Sequence, residues 1–297
     1  MSTRGKLSQA SQTFKTQREP LDLTIPLVVL VDGQSASASE IVAGAIQDLD
    51  RGVVMGWRTF GKGLVQSVRE LPYNSSLKIT TSKYYTPSGR CVQKIDYSKA
   101  VRSKGEEDKT ESAPGEFYTL SGRPVKAAGG ITPDVVLKES AVPNLLFYLA
   151  NSDILFDFAT DYAHSHPTIA PVDDFVVNDS LYAAFKEAVK ASDFKYDRQS
   201  EKALVALKEV AAFEGYLDEA SETFALLEKQ LSHDIDRDFE YFDQRIRELL
   251  ADELVSRYYY QRGAIIQAIK SDSTVFRARD LLADSMAYRA MLVPAAK

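Results

Sequence analysis

The sequence predicts an α/β core, a βαβ unit plus further β-strands, followed by an all-α helical C-terminal domain. Three observations carry that prediction. An apolar, β-branched run at Leu27–Val31, an amphipathic stretch with Ile41, Val42, Ala45, Ile46 and Leu49 on one face, and a second short apolar run at Val53–Met55 follow one another. Strand, helix and strand within about 30 residues is a βαβ unit, with parallel pairing and a right-handed crossover. From Pro143 onward the apolar residues instead recur at three- and four-residue spacing, the period of helices. Charge changes at the same place: residues 1–140 carry a net +4 and residues 141–297 a net −10. The expected organisation is a polar lead over residues 1–25, a core domain over 26–140 and a helical domain over 141–297.

Each element has a local reason. Pro26 and Asp32-Gly33-Gln34 bracket the first strand, and Arg51-Gly52 ends the helix over 37–50. Val65–Leu71 and Leu77–Tyr85 read as two strands joined by Pro72-Tyr73-Asn74-Ser75-Ser76, a hairpin-like connection. Residues 94–129 are polar, charged and punctuated by Gly and Pro, a surface loop in which Glu116–Leu120 has strand character. Val135–Leu137 reads as a closing strand. Helical periodicity covers 143–163, 179–191, 199–231 with a break near Gly215, 234–262 and 275–291. The stripe Phe239, Phe242, Ile246, Leu249, Leu250 and Leu254 is either the core of a packed helical domain or an exposed docking face.

Composition excludes several classes. At 297 residues, 44% hydrophobic and 26% charged, the chain has the balance of a globular protein with a sizeable core. No apolar run approaches the ~18 residues of a membrane span, and the first residues lack the apolar centre of a signal peptide. The single cysteine, Cys91, excludes an internal disulfide framework and a cysteine-cluster zinc site. Neither half has a basic, aromatic-interleaved stripe, so nucleic acid is not an expected partner. His164-Ser165-His166 is too sparse for a metal site, which needs three or four ligands, and His233 sits at a helix boundary. No cofactor or metal is expected.

The chemistry concentrates in Ser35-Ala36-Ser37-Ala38-Ser39-Glu40 and in Gly61-Lys62-Gly63. The serines occupy a tight turn between a strand and a helix N-terminus, where backbone N–H groups lack partners. A Ser–His–Asp arrangement is disfavoured, because all three histidines lie in the second half. The Gly-x-Ser-x-Gly elbow and the phosphate-loop pattern are both absent. A lysine serves as base for a serine when its amine is neutral, and burial favours that form over the ammonium, which ordinarily persists to ~10.4. Trp57, Phe60, Leu64 and Val65 are the apolar residues near Lys62 from which a shell would be made. The competing readings are structural: Ser37 with Glu40 fits a capping box, and Lys62 fits a solvated loop.

Wider pattern tips the balance. Ser35-Ala-Ser-Ala-Ser-Glu-Ile41 with Gln47-Asp48, Thr59-Phe-Gly-Lys-Gly-Leu-Val-Gln66, Lys83-Tyr-Tyr-Thr-Pro-Ser-Gly-Arg90 with Gln93, and Gly129-Gly-Ile-Thr-Pro-Asp-Val135 stand in this order. Together they resemble the carboxyl-terminal processing, or tail-specific, proteases over roughly residues 25 to 137. The resemblance implies an α/β protease core and a Ser–Lys endopeptidase that recognises the C-terminal ends of protein substrates. It implies Ser37 as nucleophile, Lys62 as base and Gln66 as the residue orienting that lysine. The N–H of Ala38, at the helix start, would serve the oxyanion. Family members work outside the cytoplasm, so the parent protein is expected in the periplasm or cell envelope. They also carry an upstream glycine-rich segment, which supplies the second oxyanion donor, and a PDZ domain. Neither is recognisable here, and this polypeptide alone is therefore expected to have little or no activity. The helical domain is expected to brace the core, form a homodimer or dock a partner. The rival class is a non-catalytic scaffold on the same fold, against which the joint presence of Ser37, Lys62 and Gln66 argues.

Overall fold

A computed structural model describes residues 1–95, 116–127, 129–138, 141–232 and 234–294. Most of the polar loop expected over 94–129 and His233 thus lie outside the described residues. The chain forms two compact units, one of Met1–Glu139 with Ser273–Lys297 and one of Ser140–Asp272.

The first unit contains the expected βαβ. β3 (Val28–Val31) leads through a turn into α1 (Ala38–Asp48), which leads to β4 (Val53–Gly56). β3 and β4 pair in parallel, Val28 opposite Val53, and β9 (Val135–Val136) extends the sheet in parallel on the other side of β4. A second sheet is antiparallel, in the order β2-β1-β6-β5. Its centre is the hairpin of β5 (Leu64–Leu71) and β6 (Ser75–Tyr85). Tyr73 and Asn74 turn that hairpin at φ 63° and 51°, the left-handed pair a tight hairpin turn demands. β1 (Ser2–Gly5) pairs with β6, and β2 (Gln12–Thr13) pairs with β1, so part of the polar lead is strand. β7 (Glu116–Tyr118) and β8 (Pro124–Lys126) form a separate small hairpin.

The core under the first strand and helix is Val31, Ala43, Val54, Tyr84, Val92 and Ile131. A second cluster joins Met55 and Leu137 to Ala278 on α9 (Ser273–Ala283), with Leu281 packed beside them. That packing returns Ser273–Lys297 to the α/β unit, although their helical period grouped them with the rest of the helices. Tyr288, on α10 (Ser285–Ala290), seals the outer edge beside β3: its hydroxyl accepts the Leu27 N–H at 2.8 Å and donates to the Leu27 carbonyl at 3.1 Å.

The second unit holds α2 (Asn144–Ala150), α3 (Asp153–Ser165), α4 (Asp179–Ala191), α5 (Gln199–Phe213), α6 (Ser221–Leu231), α7 (Ile235–Tyr241) and α8 (Asp243–Ile269). The predicted break near Gly215 falls between α5 and α6, with Gly215 at φ 82°. Phe239, Ile246, Leu250 and Leu254 are fully buried against Leu145, Leu149, Leu155 and Phe185. The stripe is therefore the core of this unit, and its reading as an exposed docking face is corrected: each apolar side chain there already has a packing partner. No helix among the described residues is long and apolar enough to cross a membrane.

Candidate active site

The turn after β3 distinguishes its three serines. Asp32 Oδ1 accepts the Ser35 N–H at 2.8 Å, the Ser35 hydroxyl at 2.9 Å and the Gln34 N–H at 3.0 Å. Ser35 Oγ in turn accepts the Asp32 N–H at 3.1 Å, so this hydroxyl is committed to shaping the turn. Ser39 lies inside α1. Ser37 precedes the helix and holds φ 56° and ψ −111°, a region L-residues seldom occupy. Such strain costs on the order of 1–3 kcal/mol and persists only where the surroundings over-determine it. A serine on a strained strand-to-helix turn is the geometry that presents a nucleophile. The Gly-x-Ser-x-Gly pattern is absent, yet the strained backbone at the strand-to-helix turn is present at Ser37.

Glu40 is what over-determines the turn. Its side chain is fully buried. Oε2 accepts the N–H of Ser37 at 3.0 Å, the local arm of the predicted capping box. The same oxygen accepts the N–H of Lys62 at 2.9 Å. Oε1 accepts the Gly61 N–H at 2.8 Å and the Thr59 hydroxyl at 2.6 Å. Thr59 Oγ1 accepts the Ile131 N–H at 2.6 Å, which brings the Gly129-Gly130-Ile131 turn into the same knot. A buried carboxylate with four donors is a satisfied charge, and it ties the Ser37 turn directly to the Lys62 loop.

Tyr84 works from the carbonyl side. Its one hydroxyl hydrogen is shared between two carbonyl oxygens, that of Lys62 in a short hydrogen bond and that of Ser37 at 3.1 Å. Gly63 N–H donates to Gln93 Oε1 at 2.7 Å, and Lys94 N–H donates to the Gly61 carbonyl at 2.9 Å. The two glycines around Lys62 are needed for that approach. A Cβ at Gly63 would stand 2.9 Å from Gln93 N, and Gly61, at φ 88°, would place one 2.7 Å from Lys94 Cβ.

The side chains of the predicted pair stand differently from their backbones. Lys62 and Gln66 are exposed, and Phe60 is exposed as well, so the expected apolar shell around Lys62 is not formed. Among the described residues, no hydrogen bond joins the Lys62 amine to the Ser37 hydroxyl or to Gln66. The loop spends its N–H and C=O groups on Glu40 and Tyr84, which turns the backbone inward and the lysine side chain outward. The Ala38 N–H, at the first turn of α1, has no hydrogen-bond partner among the described residues.

The remaining quoted motifs converge on one buried charge network behind the helix. Arg90 is buried, with its guanidinium 2.7 Å from Asp48 and 2.6 Å from Gln47 Oε1. Burial pulls the Arg90 pKa below its ordinary value, against the raising effect of Asp48. Arg123 bridges Asp50 at 2.7 Å and Asp134 at 2.6 Å. Asp134 Oδ2 accepts the Val54 N–H at 2.8 Å, and Gln47 Nε2 donates to its Oδ1 at 3.0 Å. Ser88 N–H donates to Asp48 at 2.9 Å. These carboxylates lock the end of α1, β4 and the Thr-Pro-Ser-Gly-Arg turn together. They hold the scaffold under the serine turn.

Comparison with known proteins finds processing proteases. Residues 1–101 match the model of peptidase family S41, and residues 145–282 match that of the probable PDZ-protease C-terminal helical domain. A carboxy-terminal-processing protease of Bartonella bacilliformis is 46% identical over 95 residues, which is 32% of this chain and 22% of that protein. A chloroplastic C-terminal processing peptidase of Tetradesmus obliquus is 48% identical over 89 residues, 30% of this chain and 19% of that protein. Among solved structures, a photosystem II D1 C-terminal processing protease overlaps 44% of this chain and 25% of its own, at 32% identity and a TM-score of 0.31. The sequence matches show similarity to carboxyl-terminal processing proteases in the first part of the chain and to the PDZ-protease helical domain in the second. The chain spans about a fifth of the length of the curated relatives it matches.

Proposed function

We propose that residues 1–297 carry the nucleophile and base of a serine endopeptidase that cleaves protein substrates near their C-terminal ends. The supporting observation is the pairing of a strained Ser37, at φ 56° and ψ −111°, with the Lys62 loop on one buried carboxylate. Lys62 takes the Ser37 hydroxyl proton as Oγ attacks the scissile carbonyl carbon. The Ala38 N–H receives the oxyanion, at the positive end of the helix. The tetrahedral adduct expels the amine, which takes the proton back from Lys62 and leaves an acyl ester on Ser37. Lys62 then deprotonates a water, which attacks the ester, releases the carboxylic acid and restores the Ser37 hydroxyl. Gln66, four residues on, orients the amine.

In the resting chain the Lys62 side chain faces water, so pairing with Ser37 requires a swing of that side chain and its desolvation by a bound substrate. Catalytic hydrogen bonds are commonly long before substrate binds. With the pair unformed, this chain by itself turns over peptide weakly. The whole protein works in the periplasm or cell envelope. It forms a homodimer through the helical unit, for which the support is the exposed apolar pair Leu207 and Val210 on α5. Sedimentation of the chain and of a Leu207→Ser, Val210→Ser variant tests the dimer.

The test of the activity is cleavage of matched peptides bearing a free or an amidated C-terminus by the intact polypeptide that carries this sequence. Faster cleavage of the free acid, abolished by Ser37→Ala, is the expected result. Cleavage that survives Ser37→Ala contradicts the mechanism, and equal rates on both peptides contradict the specificity.

A further inference from the structure

We infer that Tyr84 is a positioning residue, whose hydroxyl aims the Ala38 N–H at the oxyanion and holds the Lys62 loop in register with it. This rests on the Ser37–Lys62 reading. A trans peptide unit is planar, with its C=O and N–H pointing in opposite directions. Fixing the Ser37 carbonyl therefore fixes the direction of the Ala38 N–H in the same unit. The Ser37 carbonyl accepts the Ile41 N–H at 3.1 Å within the helix and, at 3.1 Å, one arm of the Tyr84 hydroxyl hydrogen that it shares with the Lys62 carbonyl. The helical bond alone leaves a first-turn peptide free to tilt, and the second partner removes that freedom.

The same hydroxyl reaches the Lys62 carbonyl, in the Lys62–Gly63 unit, whose N–H is held from its other side by Gln93 Oε1 at 2.7 Å. Tyr84 N–H also donates to the Gly63 carbonyl at 3.0 Å. One residue thus pins the peptide of the oxyanion donor and both peptide carbonyls after the base. Glu40 grips the N–H groups of these two segments and Tyr84 grips their carbonyls, so neither can rotate independently.

Tyr84 has the rigidity this requires. It is 3% exposed and packs in the core with Val31, Ala43, Val54, Val92 and Ile131. Its backbone lies in β6, opposite Thr3 of β1. Burial, reinforced by the charge of Glu40, holds the phenol well above its ordinary ionisation range, so it stays a neutral donor at working pH. It takes no part in proton transfer. Its contribution is geometric.

Tyr84→Phe keeps the ring and removes the donor. In the intact polypeptide it is expected to lower kcat roughly ten- to hundredfold, less than the ~10²–10³ lost with an oxyanion donor itself, while KM stays within about twofold. Affinity for a peptide boronate, whose adduct on Ser37 carries the tetrahedral oxygen, is expected to fall in parallel with kcat. Val92→Ala, a packing change in the same core cluster, supplies the control for plain destabilisation. The inference is overturned if kcat and boronate affinity are unchanged, if Val92→Ala lowers both equally at a matched melting temperature, or if Tyr84→Phe does not fold. Wild-type protein without Ser37-dependent turnover or boronate adduct would instead refute the Ser–Lys reading itself.

Discussion

The Lys62 N–H donates to Glu40 Oε2 at 2.9 Å, across 22 residues of sequence, on the oxygen that also accepts the Ser37 N–H. One buried carboxylate therefore sets the spacing between the Ser37 backbone and the Lys62 backbone. Glu40→Gln replaces one acceptor oxygen by a donor and forces it against an N–H. Hydrogen bonds to a charged group are worth about 1.5–3 kcal/mol each, so the variant should lose about 2–4 kcal/mol of stability in urea titration. Ser37-dependent turnover should fall with it. A Gln variant with unchanged stability would show that the knot is not what holds the two segments.

The serines should separate cleanly. Ser35→Ala removes the hydroxyl that pairs with Asp32 and should cost about 1 kcal/mol while leaving a reactive serine in place. Ser37→Ala should leave the melting temperature within a few degrees and eliminate turnover. Loss of turnover in Ser35→Ala at intact stability would move the nucleophile.

In the helical unit, Phe239 is fully buried and Phe213 is 93% exposed. Phe239→Ala should destabilise the protein by about 3–5 kcal/mol, and Phe213→Ala by less than about 0.5 kcal/mol. Equal effects in denaturant titration would contradict the assignment of the Phe239 to Leu254 stripe to the core.

Asp252 on α8 provides a pH test. Burial, with Glu248 and Glu253 beside it, pushes its carboxyl up to about 6. The folded state then holds this proton more tightly than the unfolded chain, whose value is near ~3.9. Stability contributed by the site is present below about pH 4 and is lost as pH rises through about 6. Asp252→Asn should therefore stabilise the protein at neutral pH. The group remains partly solvated, so screening limits the gain to about 1 kcal/mol or less. The gain should vanish near pH 4, and a constant gain across pH would contradict the assignment.

Much of this was legible in the sequence. The βαβ unit follows from a β-branched run, a 3.6-residue period and a second apolar run, signals that lie within a few residues of one another. Ser37 and Lys62 stood out through their flanking small residues, because tight turns and close backbone approach demand them. Glu40 was legible only as a local cap. Its bonds to Thr59, Gly61 and Lys62 connect segments about 20 residues apart, and no periodicity reports them. The bonds from Tyr84 to Ser37 and Lys62 depend on β6 bringing one ring under both turns, again a tertiary event. Residues 2–5 are polar and lack the apolar alternation that marks a strand in sequence, so their place between β2 and β6 was not legible. The lysine side chain was expected in an apolar shell and is instead exposed, since its neighbours in sequence point away once its backbone is anchored.

The central claim is that Ser37 is the nucleophile and Lys62 its base. Fluorophosphonate labelling of the intact polypeptide, mapped by peptide mass spectrometry, tests it most directly. The account predicts a single adduct on Ser37, lost in Ser37→Ala and strongly slowed in Lys62→Ala. An adduct on Ser35 or Ser39, or labelling of Ser37 at an unchanged rate in Lys62→Ala, would contradict it.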